Sequence, residues 1–314
     1  MKKTRRWHSW DAQQLRLTVN ELDPIVAITK VAAGVINEAG FERPPFTPDI
    51  LASFQGIRDI RRCAMPGAAR LVPTGRGLTV EVNEEHCASK QNFSINHETT
   101  HTLLPSYAGQ PVDDATTGHF PEASEVELLC DVGAAALLLD ARWLRPLARD
   151  AGPSLHTLFF LAEMFGASLQ ATARALTVLD LWPCAVVLWE EGYRKSERVP
   201  EQQLFLPECQ GYGRPAPKLR VACPYVSASF GHYIPENKSV GPSSLVHACL
   251  QNGDITWGKE SFDFGSTQAT LYCENINAPY KSGRTVRQRV ISFLLPERRL
   301  PPPVAPLQYR LEVF

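Results

Sequence analysis

Two segments decide how this chain is read: Asn96-His97-Glu98-Thr99-Thr100-His101-Thr102 and, after an intervening loop, Glu127-Leu128-Leu129-Cys130-Asp131. The first contains HExxH. On a helix, positions i and i+4 share a face, so His97 and His101 can reach one metal ion. Glu98 projects beside them, where it can act as a general base toward a metal-activated water. With eight histidines and 33 acidic residues in 314 positions, chance yields such a match in roughly 2% of chains. The context therefore has to carry weight. The second segment provides it: ExxxD on a helical pattern puts Glu127 and Asp131 on one face, while Val126, Leu129 and Val132 turn elsewhere. Glu127 then supplies a third ligand, and Asp131 accepts from the free ring nitrogen of a metal-bound histidine. Three protein ligands leave a fourth position open, as a catalytic zinc requires. Zn2+ is the expected cofactor, and histidine and carboxylate ligands accept Mn2+ as well. Two alternatives stay open at this level. Ser124-Glu125-Val126-Glu127 also matches a capping box, which would give Glu127 a purely local role. Glu122 and Glu125 are competing third ligands.

Outward from these segments, the spacing predicts an amphipathic helix from Pro24 to about Glu38, with Ile25, Ile28, Val31, Ala32 and Val35 as its apolar stripe. A proline-rich loop (43–48) and a short helix from Asp49 to Phe54 follow. Strands are expected at 57–62, 69–72 and 78–82, the last alternating apolar and polar side chains. The HExxH helix runs from about Ser89 to Leu104, where Pro105 stops it. The Glu127 helix spans roughly Ala123 to Leu139. Two further helices, SLHTLFFLAEMFG and ASLQATARALTVLD, meet at Gly166. From Pro183 the texture turns β-like, at Ala185–Trp189, Leu271-Tyr272 and Val290–Leu295.

With these elements in place, the chain resembles the ImmA/IrrE metallopeptidases, a gluzincin-like group. The resemblance rests on Val82-Asn83, on Phe93-Ser94-Ile95-Asn96-His97-Glu98-Thr99-Thr100-His101-Thr102-Leu103-Leu104, on Glu127 through Leu138, and on the entry segment Leu51-Ala52-Ser53-Phe54-Gln55-Gly56-Ile57. It covers about residues 45–180. Two departures stand out: the family often carries Leu-Gly where this chain has Thr99-Thr100, and an aromatic where it has Gly133. The resemblance implies an intracellular zinc endopeptidase that cleaves a protein substrate, a DNA-binding helix-turn-helix (XRE-type) repressor, and so relieves transcriptional repression in a stress response. An α+β fold is expected: a zincin-like peptidase domain over 1–150 with a small sheet and the HExxH helix, a helix-turn-helix-like segment over 151–180, and a C-terminal α+β domain over 181–314. By analogy with larger family members, that last domain is a GAF-like sensor.

The remaining residues narrow the reading. Charged residues make up 21% of the chain and the formal net charge is −1, so no global field favours nucleic acid or an acidic membrane. The second helix of the 154–179 pair offers only Gln170, Thr172 and Arg174 as contacts, with Asp180 following. Direct DNA binding is therefore not expected. The basic start lacks the apolar run of a secretory signal, and Val132–Leu139 is far too short to cross a membrane. A cytoplasmic protein without membrane contact is expected. Eight cysteines form no CxxC knuckle, and without an export signal they read as free thiols. Cys209, Cys223, His232, His247 and Cys249 match no ligand spacing. Lys281, Arg284, Arg287 and Arg289 read as a solvated strand face, with an anionic-ligand site as the sharper alternative. Tyr107 and His119, in the loop between the two site helices, are candidate oxyanion stabilisers. Two other function classes compete with proteolysis: a metal-binding regulator that does not cleave, and one half of a toxin/antitoxin-type pair.

Overall fold

The computed structural model describes residues 6–75, 77–107, 121–194, 197, 216–265, 267–282 and 285–296. The chain divides into two compact units. The first comprises Met1–Leu147 and Phe159–Thr172, and the second comprises Ala148–Leu158 and Ala173–Phe314. Both mix helix and strand, so the fold class is α+β.

The first unit begins with helix α1 (Trp10–Thr18), capped by Ser9, whose side chain accepts from Ala12 N–H. Sequence reading finds no helix there, because the segment is polar and its apolar face is narrow. Helix α2 (Pro24–Glu38) starts at Asp23, which caps it through Ile25 N–H, and buries Ala27, Ile28, Ala32, Val35 and Ile36. Helix α3 (Pro48–Phe54) leads into a three-stranded sheet of β1 (Ile57–Cys63), β2 (Ala69–Thr74) and β3 (Gly77–Asn83) in the order β1-β3-β2. β3 pairs parallel with β1 and antiparallel with β2. Its alternation sends Val80 and Val82 into a cluster with Ala52, Ile57 and Ile95. Asn83 ends the strand. Its amide donates to the carbonyls of Met65 and Gly67, and its Oδ1 accepts from Glu85 N–H. Those bonds fix the turn that launches helix α4 (Ala88–Leu103) across the sheet.

Helix α5 (Pro121–Leu138) packs on α4 and α2. Ala12, Leu15, Ala27, Ile28, Leu104, Leu129 and Cys130 form the cluster at this junction. Helix α6 (Ala141–Ala151) carries Pro146 inside it. A proline there removes a backbone donor and crowds the carbonyl four residues earlier, which is why sequence reading passes over this helix. Helices α7 (Leu155–Phe165) and α8 (Leu169–Leu179) follow. Gly166 turns the chain between them at φ +61°, a conformation that costs glycine little.

The second unit is built on a five-stranded antiparallel sheet: β4 (Ala185–Gly192), β5 (Lys218–Val226), β6 (Thr256–Asp263), β7 (Gln268–Asn277) and β10 (Arg289–Pro296), in the order β5-β4-β10-β7-β6. A short pair, β8 (Tyr280–Ser282) and β9 (Thr285–Arg287), intervenes. The central strands β4 and β10 are buried on both faces, so they read as unbroken apolar runs. The indole of Trp189 donates to Ser292 Oγ at 2.8 Å, and Ser292 donates in turn to Asn275 Oδ1. This satisfies a polar chain at the sheet centre. Helix α9 (Leu245–Asn252) packs against the sheet through Val246 and Cys249. No helix among the described residues is long and apolar enough to cross a membrane.

Candidate metal centre

Helix α4 turns an unusually polar face inward: Ser94, Asn96, Thr99 and Thr100 are all buried. Thr99 and Thr100 return their hydroxyls to the carbonyls of Ile95 and Asn96 at 2.8 Å, so each satisfies itself within the helix. The helix ends as Pro105 requires. Leu104 is extended, with φ −77° and ψ 141°, because the residue before a proline is driven out of the helical region. His97 and His101, one turn apart, lie on the face toward α5 with ring centroids 5.1 Å apart.

Helix α5 meets that face with Glu127. Its carboxylate lies 3.2 Å from His97 Nε2 and 3.8 Å from His101 Nε2. The other nitrogen of His97, Nδ1, lies 3.0 Å from Asp131 Oδ1. One imidazole is thus held from both sides, with Asp131 fixing the ring and Nε2 turned toward Glu127. Of the competing glutamates, Glu125 is engaged elsewhere. Glu125 is buried and its Oε2 accepts from the backbone N–H of His8 and Ser9, at 2.8 and 2.7 Å. It is committed to the start of α1. The side chain of Glu122 lies outside the described residues.

The electrostatics follow the geometry. Burial pulls the His97 imidazolium down, but its bond to Glu127 and the charges of Glu98, Glu127 and Asp131 outweigh that, and its pKa lies above the ordinary value. His101 moves the other way: burial and the neighbouring His97 lower it against the pull of Glu127, Asp11 and Asp131. The bond to His97 holds Glu127 below the usual carboxylate range despite partial burial. The charge of Glu98 raises the pKa of both His97 and Cys130. Two imidazole nitrogens and a carboxylate converging from two helices form a donor set suited to a divalent transition metal with an open position.

Two residues near the centre carry no site role in the sequence reading. Cys130 is fully buried, and its Sγ lies with the ring nitrogens of His97 and His101 in a cluster whose atoms are all within 4.8 Å of one another. Its place three residues after Glu127 signals the shared face. Asp11, on α1, accepts from Ser106 N–H at 2.7 Å and Ser106 Oγ at 2.9 Å, tying down the turn that follows α4. Nothing in the sequence around Asp11 signals that contact. Of the two oxyanion candidates, Tyr107 sits on that turn (Pro105–Tyr107), half-buried, with its phenol pushed up by burial. His119 lies outside the described residues. In the second unit, Cys223, His232, His247 and Cys249 form no metal-ligand cluster among the described residues, and Cys209 lies outside them. The charged strand resolves in part: Arg289 is buried, donates to the carbonyl of Ala278 and stacks over the Tyr280 ring at 4.5 Å. It is a structural side chain, not a solvated one, whereas Arg287 is exposed and the side chains of Lys281 and Arg284 lie outside the described residues.

Residues 55–177 match the family model described as the IrrE N-terminal-like domain, Peptidase_M78. A solved structure titled "Mycobacterium tuberculosis transcriptional regulator" superposes with a TM-score of 0.52 at 12% identity, over 91% of this chain and 80% of that one. At that identity the likeness is one of fold. No curated protein matches the chain.

Proposed function

From the match of residues 55–177 to the IrrE N-terminal-like peptidase family model, we propose that this protein is a zinc-dependent endopeptidase that cleaves a regulatory protein. The observation that carries the reading is the approach of one carboxylate, Glu127, to the Nε2 atoms of both HExxH histidines. His97, His101 and Glu127 hold the ion, and Asp131 orients His97 through Nδ1. Zinc, or manganese on the same donors, supplies Lewis acidity toward a peptide carbonyl and acidifies a water. Glu98 takes the proton from that water and delivers it to the departing amine nitrogen. The placement of His97 and His101 one turn apart on α4 fixes the spacing of the two imidazoles, with ring centroids 5.1 Å apart. Tyr107 is the described candidate for stabilising the developing oxyanion.

The family setting supports a DNA-binding XRE-type repressor as substrate, with relief of transcriptional repression as the result. The fold likeness to a protein titled a transcriptional regulator is compatible with that setting. In this reading the enzyme works in the cytoplasm, residues 1–150 hold the peptidase domain, 151–180 a helix-turn-helix-like docking segment, and 181–314 a sensor domain.

The test is cleavage of the repressor encoded beside this chain by purified protein loaded with zinc or manganese. Cleavage that a chelator abolishes, that Glu98→Gln loses while retaining metal, and that His97→Ala loses together with metal supports the proposal. Full proteolysis by Glu98→Gln overturns the assignment of the base, and stoichiometric zinc in His97→Ala overturns the ligand set. Tight binding without cleavage points instead to a metal-dependent regulator or a toxin/antitoxin-type partner.

A further inference from the structure

We propose that Cys130 is a fourth protein ligand that closes this metal centre, giving the chain a latent form with no position left for water. The inference rests on the reading of His97, His101 and Glu127 as ligands and adds a residue to it. Cys130 lies one helical turn beyond Glu127 and directly before Asp131, so α5 turns all three toward α4. Its side chain is fully buried, and its sulfur and the two imidazole nitrogens already lie within 4.8 Å of one another. In a tetrahedral site with metal–nitrogen bonds of about 2.0 Å and a metal–sulfur bond of about 2.3 Å, neighbouring donor atoms stand roughly 3.5 Å apart. An ion therefore needs to draw these atoms together by only about an ångström, within reach of side-chain rotation. The carboxylate of Glu127, its side chain 60% exposed, approaches Nε2 of both rings.

Sulfur and water thus compete for one coordination position. In the closed form the S–H bond breaks heterolytically, its proton leaves to solvent, and the sulfur lone pair binds the ion. The coordination shell becomes two imidazoles, one carboxylate and one thiolate. Zinc favours thiolate over oxygen donors, and a site closed by four protein ligands has the character of a structural centre. In that form Glu98 has no water to deprotonate. Displacement of the sulfur reopens the position, so metal content and turnover become separable in this chain.

The test is titration of metal-free, full-length protein with Co2+, read in the visible and near ultraviolet. The expected result is a sulfur-to-cobalt charge-transfer band beside the visible d–d bands. In Cys130→Ala the d–d bands remain, the charge-transfer band disappears, and cobalt affinity falls by at least about tenfold. Cys130→Ser, closer in volume, gives the same loss if Ala perturbs the buried position. Visible d–d bands without charge transfer in the wild type overturn the role of Cys130 and leave the histidine–glutamate ligand set standing. A charge-transfer band that survives in Cys130→Ala comes from another thiol and overturns the proposal too. Loss of all bands in His97→Ala supports the underlying ligand set. Absence of any cobalt spectrum in the wild type sinks that ligand set and this inference together.

Discussion

Gly133 sets the distance between the two helices that bear the metal centre, and Gly133→Ala should measure how tightly. A Cβ at 133 would lie 2.3 Å from Thr100 Cγ2, 3.0 Å from Thr100 Oγ1 and 3.1 Å from Ile28 Cγ1. Thr100 cannot swing aside freely, because its hydroxyl is bonded to the Asn96 carbonyl at 2.8 Å and the residue is fully buried. Overpacking a filled core costs about 1–3 kcal/mol, and a 2.3 Å approach belongs at the upper end. Alanine is favoured over glycine within a helix by about 1 kcal/mol. The net expectation is a loss of about 2 kcal/mol. In a Thr100→Ala background the two closest atoms are gone, so the same substitution should be neutral or stabilising by up to about 1 kcal/mol. The coupling energy between the two positions is then about 2–3 kcal/mol. Hydrogen exchange of the α4 and α5 amides in metal-free protein reads this unit without the other and without ligand stabilisation. A coupling below about 0.5 kcal/mol, or a Gly133→Ala protein as protected as the wild type, would refute the argument. The same physics joins the two departures from the family pattern. The two positions at which this chain departs from the pattern of the family it resembles, Thr100 and Gly133, face each other across α4 and α5.

Other outcomes follow from the same structure. Asp131→Ala should lower metal affinity by about 10–100-fold while keeping the ligands, as read by competition with a chelating dye; unchanged affinity would remove Asp131 from the centre. Pro146→Ala should stabilise α6 by about 2 kcal/mol, since it restores a backbone donor at an exposed helix position and forgoes about 1 kcal/mol of proline's restraint on the unfolded chain; a lower urea midpoint would contradict this. Glu274 accepts from Leu155 N–H at 2.7 Å, and burial raises its pKa despite that bond. Its contribution to stability is therefore present below the unfolded carboxylate value and lost as pH rises through the folded one, so thermal stability of the second unit should rise on going from about pH 7.5 to about pH 5. Glu274→Gln keeps the acceptor without the buried charge and should flatten that slope; an unaltered slope would assign the effect elsewhere.

Much of this was legible in the sequence because it is local. The HExxH helix and its stop at Pro105, the strand alternation through Val80 and Val82, the apolar stripe of α2 and the Gly166 turn all depend on residues a few positions apart. So does the shared face of Glu127 and Asp131. Two helices escaped because local signals misled: α1 is too polar and α6 contains a proline, yet both are held by tertiary contacts. Arg289 was misjudged for the same reason, since alternation along a strand does not reveal that a guanidinium folds back over Tyr280.

The sequence by itself therefore determined that His97 and His101 share one helical face and Glu127 and Asp131 another, because helical periodicity fixes which side chains can share a face. Only the tertiary structure decided which carboxylate meets the histidines. Glu125 and Glu127 are two residues apart, and helix α5 sends them in different directions, one to the backbone of Ser9 and the other to His97 and His101. Only the packing of α4 on α5 brought Cys130 within 4.8 Å of ring nitrogens of both histidines and left no room for a Cβ at Gly133 beside Thr100, because distances between helices are set by the side chains that fill the space between them.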